Sequence, residues 1–361
     1  MGYMDVAGIR RVFELARSLK DPINLSIGQP DFAVPEPVRA AACAAIQQGK
    51  NSYTVTQGIP ELRDLVGADV RKLYPEHADR NLIITSGTSG GLMLALCATI
   101  NPGDEVIVFD PYFVMYPHTV RLAGGTPVFV DTYPSCTIDV ERVRSALTPR
   151  TKAIVVNSPA NPTGMLHSRE SLRDLALLAQ ERNLLLISDE VYRAFAYDAP
   201  FVSPAEFNPD VLVVDGFSKS HGMTGWRLGF AHGPRRLIEE MTKLQQFVYV
   251  CAPSIVQHGG VAACHFDPSP FARDYRRKRD RVVAGLRDRF EMVTPGGAFY
   301  VFPRVPWGSG AEFVEEAVRH NLLILPGNCF SGRDTHFRIS YAADDRTLDR
   351  GIEVVNKLAR R

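Results

Sequence analysis

The chain has no closely paired cysteines, no surplus charge of one sign and no long apolar run, and each absence removes a class of protein. Its six cysteines, Cys43, Cys97, Cys136, Cys251, Cys264 and Cys329, are scattered through 361 residues without a CxxC pair. That excludes a disulfide framework and zinc-ligand spacing, so reduced and mostly buried thiols and no metal are expected. With 41 basic and 40 acidic residues the net charge is +1, and no global field draws the chain to nucleic acid or to an anionic membrane. No stretch reaches membrane-spanning length. The opening MGYMDVAGIRRVFELARSLKD alternates charged and apolar residues at helical spacing, which predicts an amphipathic helix and not a secretory signal. Val6 stands where a myristoylation pattern wants Ser or Thr. Internal repeats, low-complexity tracts and a spare basic segment for DNA binding are missing too. Small-molecule chemistry in the cytoplasm is the expectation left standing.

What is present is an ordinary globular composition, 45% apolar and 22% charged, in a chain longer than one core usually organises. Short β-branched runs recur at Leu82–Thr85, Glu105–Phe109, Pro127–Val130, Ala153–Val156, Leu184–Ile187, Val211–Val214 and Leu228–Ala231. Helical patterns such as Gly90–Ile100, Ser168–Arg182 and Arg235–Gln246 separate most of them. That alternation predicts an α/β fold with a mostly parallel seven-stranded sheet between helices. From about Pro268 the texture changes to a charged helix over Phe271–Arg289, strand-like pieces at Ala298–Pro303, Leu323–Leu325 and Phe337–Tyr341, and a closing helix from Thr347. We therefore expect a large domain over residues 35–268 and a smaller α+β domain from 1–34 and 269–361.

In open α/β sheets ligands bind beyond the carboxyl ends of the strands, so the residues there matter most. Ser86-Gly87-Thr88-Ser89-Gly90-Gly91 leads into a helix and offers hydroxyls and unpaired N–H groups, a seat for phosphate. Asn157 to Gly164 forms a rigid turn able to hold an Asn amide towards a ligand oxygen. Two further strand ends carry Ser188-Asp189-Glu190-Val191-Tyr192 and Asp215-Gly216-Phe217-Ser218-Lys219-Ser220, the latter followed by Met223-Thr224-Gly225-Trp226-Arg227. Singly, each has a bland explanation: a strand-end Asp caps helices, a Gly-rich turn is usually only a turn, Phe113 would be core and Arg338 a solvated charge. Ser-Lys-Ser is no nucleotide loop, because Gly216 stands three places before Lys219 and not beside it.

Taken together and in order, SIGQPDF, YTVTQGIPELR, TSGTSGG, DPYF, NSPANPTG, SDEVY, GFSKSHGMTGWRLGF, GGAFYVFP and FRISYA resemble the class I/II aminotransferases of the fold-type-I pyridoxal-phosphate family over nearly the whole chain. The resemblance implies pyridoxal 5′-phosphate held as a Schiff base on Lys219, which would then shuttle the substrate's proton. It implies Asp189 beside the ring nitrogen, where a buried carboxylate raises the nitrogen's basicity. Tyr192 and Asn161 match the donors to the ring hydroxyl oxygen, and Phe113, in preference to Tyr112, the stacking aromatic. Ser86, Gly87, Thr88, Ser218 and Arg227 match the phosphate site, and burial near cations such as Arg227 would lower the lysine's pKa. Arg338 matches the clamp on the substrate α-carboxylate, with backbone contact from Gly28. Tyr53 corresponds to a tyrosine that reaches the phosphate of the neighbouring subunit, which implies a homodimer. The implied reaction moves an amino group from an amino acid to a 2-oxo acid; β/γ-elimination by a lyase or synthase of the same fold is the alternative. His221, Tyr112 and Tyr116 stand near these motifs without an assigned task.

Overall fold

The computed structural model describes residues 19–77 and 80–360; the amphipathic helix expected at the N-terminus lies outside them, apart from its last residues. Seven strands form the main sheet: β2 (Asn81–Thr85), β3 (Glu105–Asp110), β4 (Thr126–Asp131), β5 (Thr151–Asn157), β6 (Leu185–Asp189), β7 (Leu212–Gly216) and β8 (Gly229–Gly233). Their spatial order is β2-β8-β7-β6-β5-β3-β4. Pairing is parallel from β4 across to β7, and β8 runs antiparallel to both β2 and β7.

A strand covered on both faces needs apolar residues at every position, and β3 and β5 meet that demand. Ile107, Phe109, Ile154 and Val156 point into one apolar layer. Val106, Val108, Ala153 and Val155 point into the layer on the opposite face. The first layer is closed by helices α2 (Pro60–Leu73), α6 (Arg169–Glu181) and α8 (Ser254–Ala263), and the second by α3 (Gly87–Thr99), α4 (Met115–Leu122) and α7 (Arg235–Val248). Helix α1 (Glu36–Gln47) packs along α8, and the short α5 (Val140–Ala146) is capped by Asp139.

A third apolar cluster joins the chain's beginning to its end, with Ile23 and Leu25 packed among Phe299, Phe313, Phe337, Leu348 and Val355. There β1 (Ile23–Asn24) pairs in parallel with β10 (Leu322–Leu323), while β9 (Tyr300–Val301), β11 (Leu325–Pro326) and β12 (Phe337–Ser340) form a small antiparallel sheet. Helices α9 (Ser269–Leu286), α10 (Gly310–Arg319) and α11 (Asp345–Leu358) cover it. A Ser309/Glu312 capping box starts α10, and the Asp344 side chain accepts from Thr347 N at the start of α11.

Three expectations need correction. The strand expected at Leu323–Leu325 is two, because the chain changes partner at Ile324 from β1 to β12. Only Tyr300–Val301 of Ala298–Pro303 is paired as strand. All six cysteines are free, but Cys136 alone is buried; Cys43, Cys97 and Cys264 are exposed and lie on or at the ends of helices facing outward.

Ile154 is fully buried at the centre of the sheet. Ile154→Ala is expected to lower the unfolding free energy by about 2–5 kcal/mol, seen as a lower urea midpoint with an unchanged slope. An unchanged midpoint would show that the residue is not core.

Candidate active site

The carboxyl ends of β5, β6 and β7 meet the small sheet at a cavity of about 320 Å³. Of the residues singled out from sequence, Gly28, Thr88, Phe113, Asn161, Asp189, Tyr192, Ser218, Lys219, Arg227 and Arg338 line it. Ser86 and Gly87 stand at the start of α3 beside it, and Tyr53 lies apart on the surface, 82% exposed.

Asp189 is the last residue of β6 and is buried. Its Oδ2 accepts from the Tyr116 hydroxyl at 2.8 Å, and its Oδ1 from Val191 N at 3.3 Å. Burial pushes this carboxyl up to about 6, and the Tyr116 bond opposes the shift. The strand end itself is pinned from next door: Asn157, paired with Asp189 across β5 and β6, donates Nδ2 to Asp189 O at 2.9 Å and accepts from Asn161 N at 2.8 Å. Glu190 turns away from the cavity and binds Tyr74 and Ser203.

Lys219 follows β7 and extends its Nζ to the backbone oxygen of Gly28 at 2.6 Å. Burial pushes its ammonium down to about 8; the Arg338 charge adds to this, Asp189 opposes it, and Arg227 contributes least. The expected cause was therefore right in kind, with Arg338 ahead of Arg227.

Arg338, on β12, is buried. Its Nη1 donates to Asn161 Oδ1 at 2.9 Å and its Nη2 to Ser26 O at 2.7 Å, while its buried Nε has no partner. The ring centres of Tyr300 and Phe330 lie 4.5 and 4.6 Å from the guanidinium carbon, within cation–π range of both. Tyr192 and Tyr300 share a hydroxyl–hydroxyl bond of 2.8 Å.

At the other end α3 begins at Gly87, three residues earlier than its apolar pattern suggests, so the Ser86–Thr88 turn supplies the helix's first free N–H groups. Gly87 has φ 70°, and a Cβ there would come within 2.5 Å of Arg227 Nη2; only glycine leaves the guanidinium room over the helix start. Arg227 itself is exposed and donates Nη1 to Thr224 O at 2.8 Å. The site thus has a cationic, donor-rich end, a buried carboxylate, and an amine within the same cavity.

Tyr116, Tyr300 and Asn157 belong to this constellation without having been assigned a task from sequence. Tyr116 had a usable signal, since it lies one helical turn beyond Phe113 and the two rings meet edge to face at 5.6 Å. His221 is buried away from the cavity, with Nδ1 on Ser220 Oγ at 2.8 Å.

The pattern of the family described as aminotransferase class I and II matches residues 20–355. The chain is 39% identical to the "probable aspartate/prephenate aminotransferase" of Thermus aquaticus over 96% of its length and 94% of that protein's. It is 35% identical to the "probable aspartate aminotransferase" of Methanocaldococcus jannaschii, covering 98% and 96%. Among solved structures it superposes on the aspartate aminotransferase from Thermus thermophilus with maleate, with TM-score 0.91 and 38% identity over 98% of this chain and 96% of that one.

In cofactor-free protein the Lys219 amine is expected to react with a small acylating reagent along a pH curve with midpoint about 8. A midpoint above 10, where an ordinary lysine titrates, would contradict the withdrawal of this amine from water; peptide mass spectrometry at Lys219 is the readout.

Proposed function

Since the chain belongs to the class I and II aminotransferase family, and is an aminotransferase moving an amino group from an amino acid to a 2-oxo acid, we propose that it does so with pyridoxal 5′-phosphate bound through Lys219. The observation that carries this reading is the common cavity shared by a half-buried amine, a buried carboxylate and a donor-rich helix start. The residues present fit the group. The glycine cradle beneath Arg227 suits a phosphate, and the buried Asp189 suits a protonated ring nitrogen. When bound, the cofactor supplies an electron sink that makes the substrate's Cα–H acidic and stores the amino group between half-reactions.

The chain's own groups do the rest. Ser86, Gly87, Thr88, Ser218 and Arg227 would hold the phosphate, aided by the dipole of α3. Asp189, oriented by Tyr116 and Val191, would hold a proton on the ring nitrogen; a carboxylate in so dry a place gains stability from a cation beside it. Phe113 would cover one ring face, and Tyr192 and Asn161 would donate to the ring hydroxyl oxygen. Asn161 has its carbonyl oxygen on Arg338, so the amide nitrogen is the donor it has left. Arg338 would bind the substrate α-carboxylate, its unpaired Nε supporting that task, with Gly28 beside it. Lys219 Nζ takes up the proton lost from the substrate Cα. Its pKa near 8 leaves a useful fraction as free amine at neutral pH.

Residues 35–268 would carry the cofactor, with 1–34 and 269–361 as the smaller domain that brings Arg338; the separate apolar cluster joining Ile23 to Val355 supports that division. A homodimer with Tyr53 reaching the neighbouring active site is supported by a bare apolar surface. Tyr53, Val55, Phe247 and Val248 are all more than half exposed, and the Gln245 side chain on α7 donates to Thr56 O, tying the two segments together. Six free thiols support a cytoplasmic home. The family favours amino transfer over the β/γ-elimination weighed from sequence.

The test is to add aspartate, aromatic and aliphatic amino acids to the purified protein loaded with pyridoxal 5′-phosphate and follow the cofactor absorbance. A fall that 2-oxoglutarate reverses is expected; pyruvate or ammonia released without such a cycle contradicts the reading. Lys219→Ala is expected to cost about 10²–10⁴-fold or more in turnover, the usual worth of a positioned acid–base group. Asp189→Asn is expected to lose cofactor on dialysis and to be nearly inactive. Wild-type turnover in either variant would refute the assigned roles.

A further inference from the structure

We infer that Asp110 is a positioning residue for substrate binding: from the end of β3 it holds the connection between β11 and β12 against the large sheet, and so keeps Phe330 beside Arg338. The inference rests on the role proposed for Arg338 and adds to it the residue that keeps its surroundings in place.

The connection covers residues 327–336, and both its ends lie in the small sheet, which carries Arg338 on β12. Its middle is bound elsewhere. Phe330 O accepts from Tyr112 N at 2.7 Å, and Gly332 N donates to Asp110 Oδ2 at 3.0 Å. Arg333 pairs with the Asp131 carboxylate, and its guanidinium carbon lies 4.7 Å from the centre of the Tyr133 ring. Asp110 and Asp131 are register partners at the ends of β3 and β4, so two neighbouring strand ends of the large sheet grip residues 330–333.

The grip has cavity residues at both ends. Phe330 lines the cavity, with its ring centre 4.6 Å from the Arg338 guanidinium carbon, and Phe113, three residues beyond Asp110, lines it too. Asp110 itself is not part of the lining, so it acts through these neighbours. Burial pushes its carboxyl up, and the Ser331 hydroxyl and the Gly332 N–H oppose that shift. The carboxylate is thus steadied by the same residues it holds.

A connection fixed only at its ends would leave Phe330 free to move off the guanidinium. With the grip already made in the free enzyme, an incoming carboxylate meets an ordered arginine. Without it, binding must first order the connection, and the loss falls on affinity and not on the chemistry at Lys219.

Two variants test the grip. Asp110→Ala removes the acceptor of Gly332 N, whereas Asp110→Asn keeps a carbonyl oxygen for it. Hydrogen exchange of cofactor-free protein, read by mass spectrometry, is expected to run at least about tenfold faster in the peptide holding Gly332 for Asp110→Ala, and as in wild type for Asp110→Asn. Single-turnover half-reactions of the holoenzyme with an amino acid read the consequence. Asp110→Ala is expected to raise the apparent dissociation constant about tenfold or more, as for loss of a hydrogen bond to a charged group. Its limiting rate, its cofactor retention and the behaviour of Asp110→Asn are expected to stay close to wild type. An unchanged dissociation constant in Asp110→Ala overturns the inference, as does a loss confined to the limiting rate or equal in the two variants. Should Asp110→Ala fail to fold, Arg333→Gln decides: it removes the exposed pair with Asp131 and is expected to raise the constant about twofold to fivefold, and no change overturns the inference. If no amino acid discharges the wild-type holoenzyme, the Lys219 and Arg338 roles fall and this inference with them. If wild type is discharged and Asp110→Ala matches it, the grip alone falls.

Discussion

The constraint on which the site depends is that an amine and a carboxylate, the half-buried Lys219 and the buried Asp189, share one cavity. Burial is the largest influence on both and favours their neutral forms; with the neighbouring charges and hydrogen bonds the lysine comes down to about 8 and the aspartate up to about 6. For the lysine that is the useful direction, since its proposed role asks for a free amine as nucleophile and base. For the aspartate it creates a need: in such surroundings a carboxylate is stable only with a strong donor or a cation at hand, and a protonated ring nitrogen is both. Tyr116 and Val191 N donate to the carboxylate and oppose the shift; in the proposed role the ring nitrogen would be its further partner.

The fold places these groups by stacking strand ends. β5, β6 and β7 run parallel and finish on the same edge, so Asn157, Asp189 and, shortly after β7, Lys219 arrive side by side without any long-range search by loops. The small sheet then supplies what the large one cannot. Arg338 comes from β12, and the 25–28 segment, hydrogen-bonded to both Arg338 and Lys219, links the two sheets across the cavity. Arg338 and Lys219 thus lean on one stretch of backbone, Ser26-Ile27-Gly28.

Much of this was legible in the sequence because it depends on local pattern. The seven β-branched runs became the seven strands of the sheet within a residue or two at their ends. The strand-end residues that line the cavity were singled out because ligands of open α/β sheets bind at such ends, and the joint order of the motifs pointed to the family that matches. What escaped was set by contacts between distant residues. The Tyr116–Asp189 bond spans 73 positions and the Tyr192–Tyr300 bond 108, and no spacing rule announces either. The split of Leu322–Pro326 into two strands follows from a change of partner at Ile324, which the run of leucines conceals. The cysteines were misjudged because their usual burial is an average; Cys43, Cys97 and Cys264 sit on outward helix faces, where the packing of neighbours decides and not the residue type.

The central claim is that one bound ring is gripped at opposite ends by Lys219 and Asp189. A crystal structure of the protein grown with pyridoxal 5′-phosphate tests it most directly. Continuous density is expected from Lys219 Nζ to the cofactor, with an Asp189 carboxylate oxygen within about 3 Å of the ring nitrogen and the phosphate over the start of α3 beside Arg227. A cofactor bound elsewhere, or turned so that its phosphate faces Asp189, would contradict it.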